Sequence, residues 1–281
     1  MFQEMQDVFF VNKRIYYIRE IIEQQYLIIP DTMEENQDEP IFESRVDLIA
    51  LKETVASIRA EVAQIIVGQH EMVDLLIAAI LSDGHVLIEG VPGVAKTLTA
   101  KIISRIISVD FSRIQFTPDL MPSDVLGTSI FNLKNSEFEF KKGPIFSNIV
   151  LIDEINRAPA KTQAALFEVM EEKQISIDGH VFPMQPPFTV LATQNPIEQE
   201  GTYRLPEAQL DRFLFKIEVG YPNLEEEFQI LEGFLSRKNV NNLDLIQPVF
   251  TAQQVSEYRE KVSEVRIDTG ILRYIASIVE S

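Results

Sequence analysis

The stretch HVLIEGVPGVAKT, His85 to Thr97, decides the reading of this chain. Its first half is a short apolar run of the kind that forms a strand buried on both faces. Its second half, Gly90 to Thr97, follows the phosphate-loop pattern G-x-x-x-x-G-K-[ST] with one departure: Ala95 stands where the pattern has its second glycine. In such a loop successive backbone N–H groups curl round phosphates at a helix N-terminus, where the dipole favours negative charge. The glycines serve the backbone; the lysine and hydroxyl serve the chemistry. Alanine adds a methyl and removes no N–H, so the change is nearly harmless provided that Ala95 keeps a negative φ. Helical periodicity resumes in KTLTAKIISRIIS, which puts Lys96 and Thr97 in the first turn of a helix. The bland alternative is a strand–turn–helix joint carrying a surface lysine.

Two more apolar runs end in polar residues. NIVLIDE places Asp153 and Glu154 at the C-terminal end of a buried strand, the edge at which open α/β sheets bind ligands. Asp153 suits the shell of a Mg2+ ion, held largely through water, with the Thr97 hydroxyl as a second ligand. Glu154 is placed to polarise an attacking water as a general base. An acidic strand end meeting solvent is the alternative in a chain with 43 acids. FTVLATQNP ends on Asn195, a short amide able to orient that water and touch a γ-phosphate, although Asn-Pro is also a routine turn signal.

Outward from these motifs the pattern alternates strands and helices. Apolar positions recur at helical spacing from Val46 to Ile66, VGQ at Val67 to Gln69 breaks the run, and HEMVDLLIAAILSDG forms a second helix. The expected fold is α/β: a parallel sheet covered by helices. Two β-hairpins are inserted, one around a Lys141–Gly143 turn in EFEFKKGPIF and one around the Asp178–Gly179 turn of QISIDGHVFPM. After Tyr221 the periodicity is helical throughout. The expected domains are an N-terminal extension and acidic linker over 1–45, poorly ordered or partly helical, an α/β core over 46–220, and a helical domain over 221–281.

Composition narrows the function. A chain of 281 residues with 46% apolar and 24% charged residues has ample core for a globular protein. Without cysteine there are no disulfides and no thiolate-bound metal, and the three histidines are scattered. A net charge of −18 argues against a protein whose main task is holding nucleic acid. No apolar run approaches the ~20 residues of a membrane helix, and the N-terminus lacks a signal-peptide pattern, so neither membrane insertion nor export is expected and the location is cytoplasmic.

The segments HVLIEGVPGVAKT, RIQFTPDLMPSDVLGT, GPIFSNIVLIDEINRAPAKTQAALFEVMEEKQISIDG and VLATQNPIEQEGTYRLPEAQLDRFLFKI together resemble the MoxR family of AAA+ ATPases, almost without gaps from Val67 to Leu231. In that family the loop is typically G-x-P-G-x-A-K-T, so Ala95 is the family's own letter. The resemblance implies an AAA+ P-loop domain followed by a helical lid, and a homo-oligomeric ring, commonly a hexamer, with ATP and Mg2+ held between subunits. It implies ATP contacts from Val67, Gly68, Gly90, Val91, Pro92, Gly93, Val94, Ala95, Lys96, Thr97, Leu98 and Asp153. Lys96 and Thr97 correspond to Walker A, Asp153 and Glu154 to Walker B, and Asn195 to sensor 1. Arg212 corresponds to the arginine finger that reaches a neighbour's γ-phosphate; the alternative for it is an ion pair with Asp211 or Glu207. Arg157 and Arg204 are lesser candidates. Both hairpins would lie near the ring pore, where a client is engaged.

The implied activity is ATP hydrolysis coupled to chaperone-like remodelling or maturation of partner proteins, often ones with von Willebrand factor A domains. Alternatives are a magnesium-chelatase-like motor subunit, which shares the inserts, and a scaffold that holds ATP with little hydrolysis. Two departures stand out. Relatives carry Pro where this chain has Arg204, and the chain ends at Ser281 before the family's G-A-S-P-R-A sensor 2 segment, which reads as a truncation. Residues 1–32 have no family counterpart, and Met33 reads as an alternative start.

Overall fold

The computed structural model describes residues 49–90, 95–134, 136–195, 203, 205–236, 243 and 246–280. The extension expected over 1–45 lies outside them. Helices α1 (Ile49–Ala63) and α2 (His70–Leu81) come first, and α2 buries seven of its residues, from Met72 to Leu81. Strand β1 (Val86–Gly90) then leads to α3 (Lys96–Ile106). Four further strands complete one sheet with β1: β2 (Phe111–Gln115), β5 (Ile149–Asp153), β8 (Thr189–Gln194) and β9 (Phe215–Val219). Its order is β2-β5-β8-β1-β9 and every pairing is parallel. The α/β class expected from the buried runs is what the chain adopts.

Alternation along the central strands divides the core in two. Val86, Ile88, Leu151 and Leu191 face a cluster completed by α1, α2 and α3. Leu87, Val150, Ile152, Val190 and Ala192 face a second cluster, completed by Leu166, Phe167 and Met170 of α5 (Ala160–Glu172). The edge strands β2 and β9 were not among the strands expected. Each mixes exposed polar residues with buried ones, so neither reads as a continuous apolar run.

The short helix α4 (Pro122–Leu126) opens the first insert, in which β3 (Gly127–Asn132) pairs antiparallel with β4 (Glu137–Lys142). The turn therefore lies after Asn132, not at Lys141–Gly143. Asn132 accepts the Lys134 N–H through its side chain there, at 3.0 Å. Gly143 is needed for a different reason: a Cβ on it would lie 2.3 Å from the Val125 carbonyl oxygen, so it permits a close approach at the hairpin's base. The second insert follows expectation. Strand β6 (Gln174–Ile177) pairs with β7 (His180–Pro183) across Asp178 and Gly179, whose φ values of 52° and 77° suit a two-residue turn.

A short helix α6 (Glu207–Leu210) precedes β9, and among the described residues after it lie the helices α7 (Leu224–Ser236), α8 (Ala252–Ser263) and α9 (Thr269–Glu280). Ile246, Phe250 and Val255 enter the first core cluster, and Arg259 of α8 donates from Nε to the Ile80 carbonyl at 2.7 Å. Among the described residues no helix is long and apolar enough to cross a membrane.

His85, just before β1, ties the sheet to α5. The Val190 N–H donates to its Nδ1 at 3.0 Å, so the proton sits on Nε2, which donates to the Met170 carbonyl at 3.1 Å. Burial holds its pKa below the ordinary value of 6.5, with the Met170 carbonyl pulling weakly the other way. The folded chain thus takes up a proton on this imidazole less readily than the unfolded chain does. The contribution to stability is present above pH 6.5 and is lost as pH falls below it. Urea unfolding of the wild type and His85→Gln across that range is expected to show the wild type's advantage shrinking on acidification.

Candidate functional site

Strands β1, β5 and β8 run parallel as neighbours and deliver their C-terminal ends to one edge. Lys96 opens α3 there and donates from Nζ to the Gly90 carbonyl at 2.7 Å. Burial lowers its pKa, while the carboxylates of Asp153 and Glu154 act in the opposite direction by direct attraction. The lysine and the two acids, 57 residues apart and more in sequence, therefore share one electrostatic environment.

Asp153 ends β5 and is buried. Thr193 of β8 donates from Oγ1 to Asp153 Oδ1 at 3.2 Å and accepts the Glu154 N–H at 3.1 Å. One hydroxyl thus fixes both the carboxylate and the backbone that follows it. Arg113 of β2 donates from Nε to Asp153 Oδ2 at 2.5 Å. Glu154 has φ 58°, a left-handed turn that swings it off the strand direction. Its Oε2 accepts from Gln115 Nε2 at 2.8 Å and pairs with Arg157 Nε at 3.1 Å. Thr193, Arg113 and Gln115 did not stand out in the sequence. Thr193 had one available signal, its place one residue before the polar end of an apolar run; Arg113 and Gln115 lie on an edge strand whose mixed sequence hides it.

Thr97 and Leu98 lie in the first turn of α3, half-buried, and Leu98 packs against the first core cluster. Val67 and Gly68 lie between α1 and α2, half-buried, with Gly68 at φ 76°. A Cβ on Gly68 would meet the Glu226 carboxyl of α7 at 2.4 Å, so α7 closes directly onto this turn. Asn195 follows the last residue of β8 and is half-buried. The loop residues Val91, Pro92, Gly93 and Val94, and likewise Arg204, lie outside the described residues.

Two expectations need correction. Ala95 has φ 57° and ψ 14°, so it occupies the left-handed region instead of keeping φ negative. The reason to keep a methyl here is packing: Ala95 is half-buried against the first core cluster, which offsets the strain. Arg212 pairs with Glu171 of α5, not with Asp211 or Glu207.

The donors suit a hard cation. Asp153 and Thr97 offer oxygen ligands, and the buried Gln194 Oε1 at the same edge has no hydrogen-bond partner among the described residues. Lys96 and the N-terminus of α3 supply positive potential for an anion.

The sequence profile of the ATPase family associated with various cellular activities (AAA) matches residues 85–215. YeaC of Bacillus subtilis is 50% identical over 217 residues, which cover 77% of this chain and 67% of YeaC. Chaperone MoxR1 of Mycobacterium tuberculosis is 59% identical over 171 residues, 61% of this chain and 45% of that protein. A crystal structure from Cytophaga hutchinsonii superposes with a TM-score of 0.71 at 44% identity, covering 83% of this chain and 72% of the other. This chain belongs to the MoxR family of AAA+ ATPases. The matched part spans about half the length of the relatives that bear the MoxR name, 45% of one and 51% of another.

For a MoxR-family ATPase, Ala95 and Thr193 make measurable statements. Ala95→Gly relieves the strain but loses the buried methyl, so its stability is expected within ~1 kcal/mol of wild type. Ala95→Val puts a β-branched side chain at positive φ and is expected to lose about 2 kcal/mol or more in urea unfolding. Thr193→Val keeps the volume and deletes both hydroxyl bonds. It is expected to cost ~1–3 kcal/mol, read by the same method, by leaving Asp153 Oδ1 underbonded.

Proposed function

We propose that this chain binds Mg-ATP at the edge formed by β1, β5 and β8, hydrolyses it between ring subunits, and uses the turnover to remodel partner proteins. The observation that carries the reading is the convergence of Lys96 with Asp153 and Glu154. In this reading the loop backbone from Gly90 to Ala95 cradles the phosphates, and Lys96 neutralises them. Val67, Gly68 and Leu98 border the nucleoside. Thr97 and Asp153 hold Mg2+, largely through water, and the ion supplies neutralisation of charge on the phosphate oxygens. Glu154 takes the proton of the attacking water, and Asn195 orients that water. Arg212 leaves Glu171 and approaches the neighbour's γ-phosphate.

Ring assembly extends the AAA+ resemblance, and the commonest ring in that class is a hexamer. The chaperone role extends the name of the Mycobacterium tuberculosis relative. Partners with von Willebrand factor A domains fit the same family reading. A second reading has one observation in its favour. Glu154 Oε2 is already engaged by Gln115 and Arg157, an arrangement consistent with a chain that holds ATP with little turnover on its own.

Hydrolysis per subunit is to be measured over a hundredfold range of protein concentration. Specific activity is expected to climb, and Arg212→Ala to lose ~10³-fold or more while still binding nucleotide. Mixing Arg212→Ala with Glu154→Gln, each inactive alone, is expected to restore part of the activity, because some interfaces then pair an intact base with an intact finger. Flat, substantial activity at every concentration would remove the trans finger. No hydrolysis at any concentration, with nucleotide bound, would favour the holding reading.

A further inference from the structure

The Asp153 carboxylate is committed twice before any ligand is considered. Oδ1 takes the Thr193 hydroxyl, which also serves the Glu154 N–H, and so belongs to the strand framework. Oδ2 takes Arg113 Nε at 2.5 Å. The two partners differ in how firmly they are held. Thr193 is 3% exposed, whereas the Arg113 side chain is 50% exposed and stands on the edge strand of the sheet.

Register explains the reach. Gln115 lies level with Asp153, and Arg113 lies level with Leu151, two residues back from the strand end. Phe111, Arg113 and Gln115 share one face of β2, and Phe111 packs on the cluster that α3 covers. Ile114, between them, faces the opposite cluster. Arg113 therefore runs forward along the face on which Lys96 also sits, and it meets the carboxylate through Nε, a reach that a lysine ammonium also has. Asp153 has a cation on either hand.

The geometry points to Arg113 as a positioning residue that competes with Mg2+ for Asp153 Oδ2 and thereby sets the magnesium requirement of the site. The inference rests on the nucleotide-site reading above. An arginine bonded to a carboxylate oxygen lowers that oxygen's attraction for a second cation. Because Arg113 is half exposed, water screens the pair, and the release of Oδ2 is an affordable exchange instead of the rupture of a buried ion pair. Thr193 stays in place during the exchange, so Asp153 keeps its orientation while its charge becomes available. The site would then respond to magnesium at a concentration fixed by the contest with Arg113, not at the limit of its intrinsic affinity.

The test is binding of the fluorescent nucleotide mant-ATP by the full chain as Mg2+ is titrated, with no turnover needed for the readout. Arg113→Met, which keeps the stem and removes the charge, is expected to lower the Mg2+ midpoint about three- to tenfold. Arg113→Lys is expected to return the midpoint toward wild type. Added salt should narrow the gap between wild type and the Met variant. If the Met variant does not fold, Arg113→Gln takes its place with the same expectation. A midpoint that is unchanged or raised without the charge overturns the competition. Loss of nucleotide binding by wild type in the presence of Mg2+ overturns the nucleotide site itself, and this inference falls with it.

Discussion

A charged carboxylate at the mouth of a fully buried strand is the constraint around which the rest is arranged. Strand β5 has every residue buried, and it ends on Asp153. Such a group is costly to hold away from water unless donors meet it. The neighbouring strands supply them from both sides: Thr193 from β8 and Arg113 from β2. Lys96 stands close enough for the carboxylate's charge to be felt. Satisfying Asp153 thus requires three strands and one helix to be in register at the same edge. The same arrangement leaves an anion-friendly helix end beside oxygen ligands, which is what a phosphate with its cation asks for.

What could be read beforehand follows from how local the information is. HVLIEG, NIVLIDE and FTVLATQ are continuous apolar runs because they are central strands, and their burial makes them visible. FSRIQ and FKIEV are edge strands of the same sheet, and their polar residues hide them. The motif residues Lys96, Thr97, Asp153 and Glu154 stand out because loop and strand end dictate them within a few positions. Arg113, Gln115 and Thr193 matter through strand pairing, and no local window contains that information. Their partners lie 39 or 40 residues away.

Glycine and alanine misled in opposite directions. Gly143 looked like a turn residue, yet it marks a place where two backbones touch, and the real turn follows Asn132, whose side chain accepts the Lys134 N–H. Ala95 looked like a residue with ordinary φ, yet it bears a left-handed backbone, the strain offset by its methyl packing against the core. Small residues report either conformation or proximity, and only the packed chain tells which.

The hairpin of β3 and β4 meets the body of the molecule at Gly127 and Gly143, and a Cβ on either would fall within 2.3 Å of a backbone oxygen. A joint that tight is a neck. Beyond it extend two strands of six residues, about 20 Å of paired backbone. Phe131 and Phe138 stack edge to face near the far end, Phe138 largely in solvent and Phe131 about half covered. The arm is also braced part-way along: Ser129 of β3 donates to the Asp178 carboxylate, and Phe140 of β4 packs on Phe182 of the second insert. The two hairpins are therefore yoked, and a pull on the aromatic tip is shared between the neck and the neighbouring insert.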